Sequence, residues 1–163
     1  TDSLTGLYNR MYLTQQTEKH LLERENKPNS IFLIHLDCDD FKLVNHQIGH
    51  EQADNLLQKL AEFISTKLAK NTIIARVEGD EFMISLIDSN YENAVQIADM
   101  IREEIAQNEI MGMKLTVSIG ISCNSLNASF SDIYQDTDKA IIKAKRLGGN
   151  QIAIGELVES IFN

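Results

Sequence analysis

The sequence is poor in the residues that build disulfide frameworks, flexible linkers and cysteine-rich metal motifs. It contains two cysteines, one proline, eight glycines and no tryptophan among 163 residues. Cys38 and Cys123 are too few and too far apart for a zinc motif or a disulfide framework, and this usage is typical of a reduced cytoplasmic protein. Because no Pro- or Gly-rich linker divides the chain, we expect residues 1–163 to form a single domain.

Positive charge is also scarce. The chain has 15 Lys and Arg residues against 24 Asp and Glu residues, a formal net charge of −9. A surface of this sign excludes nucleic acid as the main partner and predicts no direct membrane contact by this domain, although a nucleotide bound through a metal is compatible with it. No apolar run is long enough to span a membrane, so we expect a cytoplasmic domain. The chain begins without Met, and we expect it to be excised from a larger multidomain protein that could be membrane-anchored elsewhere.

What the sequence does have is a concentration of carboxylates beside predicted buried strands. Glu78, Asp80 and Glu81 surround Gly79 between two apolar, β-branched runs, a pattern that predicts a tight hairpin. A second group, residues 37–40, ends a continuous apolar run that is typical of a central strand. Carboxylates held together near a core favour a divalent cation such as Mg²⁺, although a solvated acidic hairpin tip fits the composition of the turn equally well.

The hydrophobic periodicity predicts the order helix, strand, helix, strand, strand, helix, strand, helix, strand. This order indicates an α+β fold of the ferredoxin-like type, with a central, mainly antiparallel five-stranded sheet and flanking helices. His35, inside the first strand, is expected to be a satisfied core histidine rather than a metal ligand. Residues 115–121 alternate strictly, which predicts a strand with one covered face. The predicted helices cover residues 10–25, 51–68, a segment capped by Asn90 and a segment from Asp132 to Leu147, and the predicted strands cover residues 31–36, 72–75, 83–87, 115–121 and 151–154.

Four ordered blocks, residues 2–10, 37–54, 76–82 and 138–150, resemble the GGDEF family, the diguanylate cyclase domain of bacterial signalling proteins. The resemblance implies a palm-type α+β fold and the condensation of two GTP molecules to cyclic di-GMP and two pyrophosphates. It also implies Mg²⁺ or Mn²⁺ as cofactor, a homodimer of GGDEF domains for catalysis, and a neighbouring sensory or EAL domain in the full-length protein.

The resemblance assigns the chemistry to the two acidic groups. Asp37, the backbone carbonyl of Cys38, Asp80 and Glu81 match the metal-binding positions. Asp80 and Glu81 match the catalytic positions, and Asp80 corresponds to the acidic residue thought to assist deprotonation of the ribose 3′-hydroxyl.

The substrate-binding positions follow the same resemblance. Asn45 and Asp54 match residues that bind the guanine edge, and an Asp that accepts from guanine N1–H and N2–H₂ finds no such donors on adenine. Phe41 and Lys42 match the loop around the phosphates, Lys145 matches a lysine that reaches them, and Gly79 belongs to the signature turn. Each position has an ordinary alternative: Asn45 as a turn cap, Asp54 on a polar helix face, Lys145 as a solvated lysine.

The chain departs from the family pattern at several positions. Glu78 stands where the signature has its first Gly, and Gly149 stands where the family has an Arg that pairs with phosphate. His46 and Ile142 replace an Asp and a Tyr. The inhibitory R-x-x-D positions are Ala69 and Thr72, so we expect no inhibitory site. Two functions therefore stay open: a diguanylate cyclase of reduced activity, or a degenerate GTP-binding module that regulates an adjacent domain such as an EAL phosphodiesterase.

Overall fold

The computed structural model describes all residues from Thr1 to Asn163 and contains a mixed six-stranded sheet flanked by helices. The strands are β1 (Tyr8–Asn9), β2 (Ile31–Cys38), β3 (Ile73–Glu78), β4 (Glu81–Ile87), β5 (Val117–Cys123) and β6 (Ile152–Ile154). Their order in the sheet is β1-β3-β4-β2-β5-β6. Pairing is antiparallel between β2 and its neighbours β4 and β5, and between β3 and β4, and it is parallel for the two edge strands. The helices are α1 (Arg10–Glu23), α2 (Phe41–Ile48), α3 (His50–Thr66), α4 (Tyr91–Gln107), α5 (Phe130–Arg146) and α6 (Glu156–Glu159), followed by a 3₁₀ turn at Ser160–Phe162.

The α+β class and the mainly antiparallel sheet are confirmed, but the predicted number of strands was wrong. The additional strand, β1, has only two residues, which pair with Ala75 and Arg76 of β3. A segment of this length carries no readable periodicity. The single covered face predicted for β5 was also wrong, because all seven of its residues are buried between α4 and α5.

The helices also differ from the prediction. Residues 41–48, which lie outside the predicted helices, form an eight-residue helix, α2, which meets α3 at Gly49, where φ is 86°. The last long helix, α5, begins at Phe130 rather than at Asp132, because Ser129 and Asp132 form a reciprocal capping box. Asp132 is therefore the third residue of the helix, and its carboxylate accepts from the backbone N–H of Ser129.

The core lies on both faces of the sheet. One face packs against α3 and α4 and contains Leu36 and Phe82, and the other packs against α1 and α5 and contains Leu33 and Met83. Alternation along β2 puts His35 and Asp37 on the α1/α5 face. None of the helices combines the length and the apolar character needed to cross a bilayer.

Gly120 of β5 sits where α5 approaches the sheet most closely. A Cβ atom at this position would lie 2.4 Å from the backbone oxygen of Thr137 and 3.1 Å from the Ala140 side chain. The Gly120→Ala variant is therefore expected to lose about 1–3 kcal/mol of unfolding free energy through overpacking. Urea denaturation measures this loss, and Gln96→Ala on the exposed face of α4 is the control, expected to change stability by less than about 0.5 kcal/mol.

Candidate active site

The signature segment forms the hairpin between β3 and β4. Gly79 and Asp80 make its turn, with φ of 34° at Gly79, a left-handed value that favours glycine. Arg76 holds this turn, because its Nε donates to the carbonyl of Gly79 at 2.7 Å and its Nη1 lies 3.3 Å from Asp2 Oδ1. The hairpin is thereby tied to the N-terminal block of the chain.

Three carboxylates meet where β2 and β4 run together. Asp37 and Glu81 are paired across the two strands, and the carbonyl of Asp80 accepts from the N–H of Cys38 at 3.4 Å. Burial, together with the charge of Asp37, raises the pKa of Asp80 to about 6. Burial also raises the pKa of Asp37, with Lys145 opposing and Glu81 adding to the shift. These groups are half-buried rather than solvated, so the arrangement is unlike a free acidic hairpin tip, and it favours a cation.

The raised pKa of the half-buried Asp80 leads to a testable prediction about the stability of the metal-free protein. Its pKa is higher in the folded state than the usual 3.8, so folding is favoured at low pH and that contribution is lost as the pH rises through about 6. Above pH 6 the ionised carboxylate destabilises the fold, by about 1 kcal/mol once solvent screening is allowed for. In EDTA at pH 7.5, Asp80→Asn is expected to raise the unfolding free energy by about that amount.

The control for Asp80→Asn is the same unfolding measurement at low pH. Asp80 is protonated in both the folded and the unfolded state only well below pH 3.8, so the difference between parent and variant in denaturant unfolding should be much smaller at pH 4 and should vanish below about pH 3. An equal gain at pH 4 and pH 7.5 would contradict an electrostatic origin.

Lys145 of α5 is partly exposed, and its ammonium group lies beside Asp37 and Asp39. Its Nζ is 3.2 Å from Asp37 Oδ1, 3.3 Å from Asp39 Oδ1 and 3.4 Å from the carbonyl of Cys38. Burial opposes the charge, but Asp37 and Asp39 outweigh it and raise the pKa of Lys145. The Cys38 thiol points into the core and burial raises its pKa well above the usual value, so only the carbonyl of this residue faces the site.

Asp39 is a site residue that the sequence analysis included in the acidic group of residues 37–40 without giving it a role of its own. Its carboxylate accepts from Thr116 Oγ1 at 2.7 Å, Ser118 Oγ at 2.6 Å and the backbone N–H of Asn150 at 2.8 Å. Burial raises its pKa, but these hydrogen bonds outweigh burial, and the pKa is lowered. An ionised Asp39 therefore joins β5 to the loop after α5 and fixes Lys145. The one sequence feature that pointed to Asp39 as a site residue is its spacing of two from Asp37, which in an extended chain places both side chains on the same face.

The residues matched to guanine recognition lie on the neighbouring α2 and α3, which pack against each other. Asn45 does not cap a turn through its side chain: its Oδ1 is buried and has no hydrogen-bond partner. Asp54 is 36% exposed, with one oxygen 3.7 Å from His50 Nε2. A buried acceptor without a partner is costly unless a ligand donates to it.

The residues matched to phosphate binding, other than Lys145, lie at the start of α2. Phe41 is partly buried against the core and Lys42 is exposed. They follow Asp40, whose φ of 55° turns the chain from the end of β2 into the helix. This turn sets the first residues of α2 directly after the carboxylates of residues 37–39.

The departures from the family pattern are visible in the structure. Glu78 is exposed and is paired with Glu81 across the hairpin. Gly149 has φ of 73°, and a Cβ atom there would lie 3.1 Å from the Asp39 carboxylate. His46 and Ile142 are both exposed. Ala69 and Thr72, in the loop between α3 and β3, supply neither a guanidinium nor a carboxylate.

Comparison with known proteins identifies related sequences and structures. The family model described as diguanylate cyclase, GGDEF domain, matches residues 1–151. A diguanylate cyclase of Vibrio cholerae is 32% identical over 157 residues, covering 94% of this chain and 49% of the relative. Diguanylate cyclase DgcM of Escherichia coli is 30% identical over 152 residues, covering 93% and 37%. The chain thus spans half or less of the length of these two relatives.

Solved structures give the same result. The GGDEF domain of DgcB from Caulobacter crescentus, determined in complex with c-di-GMP, has a TM-score of 0.87 at 26% identity and covers 94% of each chain. The active GGEEF domain of a diguanylate cyclase from Vibrio cholerae has a TM-score of 0.83 at 30% identity, over 92% of this chain and 98% of that one.

Proposed function

Because the chain belongs to the GGDEF family of diguanylate cyclase domains, we propose that it condenses two GTP molecules into cyclic di-GMP and two pyrophosphates. The observation that carries this proposal is the cluster of Asp37, Asp80 and Glu81 at the end of β2, with the Lys145 ammonium 3.2 Å from Asp37. Phosphoryl chemistry needs little more from a protein than positioning and charge stabilisation, and this cluster offers both.

The family generally uses a divalent metal, and the residues of this site fit one. Asp37, Asp80, Glu81 and the Cys38 carbonyl offer only oxygen atoms, which suits Mg²⁺ or Mn²⁺. Burial, with a smaller contribution from repulsion among the carboxylates, raises the pKa values of Asp37 and Asp80, and a bound cation relieves the cost of ionising them. When bound, such an ion polarises the α-phosphate and lowers the pKa of the attacking 3′-hydroxyl.

Side chains of the protein accept the proton and stabilise the negative charge that the reaction develops. Asp80, with its pKa raised to about 6, accepts the proton of the 3′-hydroxyl as that oxygen attacks the α-phosphorus of the other GTP. Lys145 stabilises negative charge on the phosphates, together with Lys42 and the start of α2 at Phe41. Gly79, without a side chain, lets the phosphates approach the hairpin turn.

Guanine selection rests on Asn45 and Asp54. The unpartnered Oδ1 of Asn45 gains a donor from the guanine edge, and the partly exposed Asp54 carboxylate accepts from N1–H and N2–H₂. Adenine has neither donor at those positions, so binding ATP would leave these acceptors unpaired.

Catalysis needs two domains, because each holds one GTP and the attacking oxygen belongs to the partner's substrate. We therefore propose a homodimer of such domains as the active form, in a cytoplasmic setting. A sensory or EAL domain elsewhere in the full-length protein would control how often two copies meet.

A second function is favoured by the departures at Glu78 and Gly149. Glu78 adds negative charge beside Glu81, and Gly149 offers no cation to the phosphates. Both weaken phosphate binding, which fits a GTP-binding module that regulates a neighbouring domain rather than a fast cyclase. The intact carboxylate cluster favours the enzyme.

The test that separates the two is incubation of the domain with GTP and Mg²⁺ at high protein concentration, followed by chromatography for cyclic di-GMP. Accumulation of cyclic di-GMP and pyrophosphate supports the cyclase. GTP binding by calorimetry without any product, at a protein concentration where dimers form, supports the regulatory module.

The guanine assignment predicts that a non-hydrolysable GTP analogue binds more tightly than the ATP analogue. Asp54→Ala should weaken the GTP analogue by about 1–3 kcal/mol, as for a lost hydrogen bond to a charged group, and should leave the ATP analogue unchanged. Calorimetry with both analogues measures this, and Asn55→Ala, exposed on the same helix, is the matched control. Equal affinity of the parent for both analogues would contradict the roles of Asn45 and Asp54.

A further inference from the structure

His35 is a buried side chain that the proposed chemistry does not use. Its ring is fully buried on the face of β2 that also carries Asp37. Its Nε2 lies 2.8 Å from Glu81 Oε1, and its Nδ1 lies 3.0 Å from Thr137 Oγ1 and 3.3 Å from Asp138 Oδ1. The expectation of a satisfied core histidine agrees with these contacts, but one partner is a candidate metal ligand.

The hydrogen-bond roles around the ring follow from its partners. The Glu81 carboxylate can only accept, so His35 Nε2 donates to it. On the other side, Nδ1 of the neutral ring can only accept, and the Thr137 hydroxyl lies 3.0 Å from it and 2.6 Å from the carbonyl of Tyr134, so this hydroxyl is the donor that faces Nδ1. The ring is therefore held at both nitrogens and cannot turn without breaking a hydrogen bond inside the core.

The packing of α5 explains why both ends of the ring are held. Gly120 pairs with His35 across β2 and β5, and its missing side chain lets the backbone of α5 come close at Thr137. This brings Thr137 and Asp138 onto the imidazole. The same helix carries Lys145 into the cluster, so α5 fixes the lysine directly and Glu81 through the histidine.

We propose that His35 is a positioning residue that fixes the orientation of the Glu81 carboxylate for the metal. With Oε1 held by the ring, Glu81 presents Oε2 to a cation beside Asp37. The ring touches neither substrate nor reacting atoms, so its effect passes through Glu81. This inference rests on the proposed function for its consequence in catalysis, but its geometric content is testable without nucleotide.

Two matched variants separate a hydrogen bond from a packing effect. The amide Nε2 of glutamine and the ring Nε2 of histidine are separated from Cβ by the same number of bonds. His35→Gln therefore keeps a hydrogen-bond donor facing Glu81. In Asn, the shorter amide reaches only the level of Nδ1, so His35→Asn keeps a polar group facing α5 and loses the bond to Glu81. Thr137→Val is a third, uncharged change that touches no candidate ligand and removes one anchor of the ring.

The first measurement is Mn²⁺ binding to the full chain by calorimetry, without nucleotide. His35→Asn should bind Mn²⁺ at least about tenfold more weakly than the parent, as is typical when a hydrogen-bonding partner of a ligand is lost, whereas His35→Gln should stay within about threefold. Thr137→Val should lie between the two. Equal Mn²⁺ affinity in the parent and His35→Asn would overturn the proposal. The same holds if His35→Asn and His35→Gln lose equal Mn²⁺ affinity, or if the parent binds no Mn²⁺.

The second measurement is the metal-free crystal structure of each variant. The Glu81 carboxylate should keep its parental position in His35→Gln and leave it in His35→Asn, and an unmoved Glu81 in His35→Asn would overturn the proposal. If His35→Asn does not fold, Thr137→Val carries both measurements, and a Thr137→Val protein with the Mn²⁺ affinity and the Glu81 position of the parent would overturn the proposal. Absence of cyclic di-GMP from the parent would remove the proposed function, while the Mn²⁺ series and the Glu81 positions would still decide the role of His35.

Discussion

Replacing Asp37 with Asn will reduce cyclic di-GMP formation by about 10³-fold or more while leaving the fold intact. The Asp37 carboxylate is paired with Glu81 across the strands and lies 3.2 Å from Lys145 Nζ, so it joins the two acidic segments to the one ammonium group beside them. An amide of the same shape offers a neutral oxygen in place of a charged ligand, so the cation is held more weakly. Removing a single preorganised charge contact from such a site costs about 10²–10³ in rate, and loss of metal adds to this.

The control for this variant is Asp40→Asn, three residues further on. Asp40 is exposed and makes no side-chain cap hydrogen bond, so its charge faces solvent rather than the cluster. Turnover is followed as cyclic di-GMP per minute at saturating GTP and at several Mg²⁺ concentrations, and thermal unfolding checks the fold. An Asp37→Asn variant that recovers full activity at high Mg²⁺ would show that Asp37 supplies affinity alone, and one as active as Asp40→Asn would remove Asp37 from the site.

Part of this site could be predicted from the sequence because short, continuous segments of the chain form it. The run into Asp37 and the Gly79 turn are each a few residues long, and their composition alone indicates a strand end and a hairpin. That both should meet at one place follows from antiparallel pairing of the two strands. The family spacing then supplied the roles of Asn45, Asp54 and Lys145.

The rest could not be predicted because it depends on contacts between distant segments. His35 meets Glu81 across 46 residues and Thr137 across 102, and no local pattern encodes either contact. The contacts of Asp39 could not be predicted for the same reason, because its partners are Ser118 of β5 and Thr116 just before that strand. The prediction that β5 has one covered face failed for a related reason: Ser118 and Ser122 make an alternating pattern, but their hydroxyls are buried in hydrogen bonds to Asp39 and Asp136. A polar residue in a strand indicates a solvent-exposed face only when no buried hydrogen-bond acceptor lies within reach of its side chain.

Replacing Lys145 with Met should produce the second large effect, a loss of about 10²–10³ in turnover with a raised KM for GTP. Methionine keeps the length and apolar stem of the lysine, so packing of α5 changes little. The ammonium, however, is the only cation within 4.0 Å of Asp37 and Asp39, and without it two negative groups face incoming phosphates without compensation. The departure at Gly149 sharpens this expectation, because no arginine stands there to take over the phosphate contact.

Lys143→Met is the matched control on the same helix. Lys143 is exposed and lies 3.9 Å from Glu159, away from the carboxylate cluster, so its loss should change turnover by less than about twofold. Turnover and KM are measured for the parent and both variants at matched dimer fraction, with GTP-analogue affinity by calorimetry. Both kcat and affinity should fall in Lys145→Met, because the ammonium contacts phosphate in the ground state and again as charge develops on the transferred group. A variant that loses affinity while keeping the parental kcat would confine Lys145 to substrate binding, and one that matches Lys143→Met would remove it from the site.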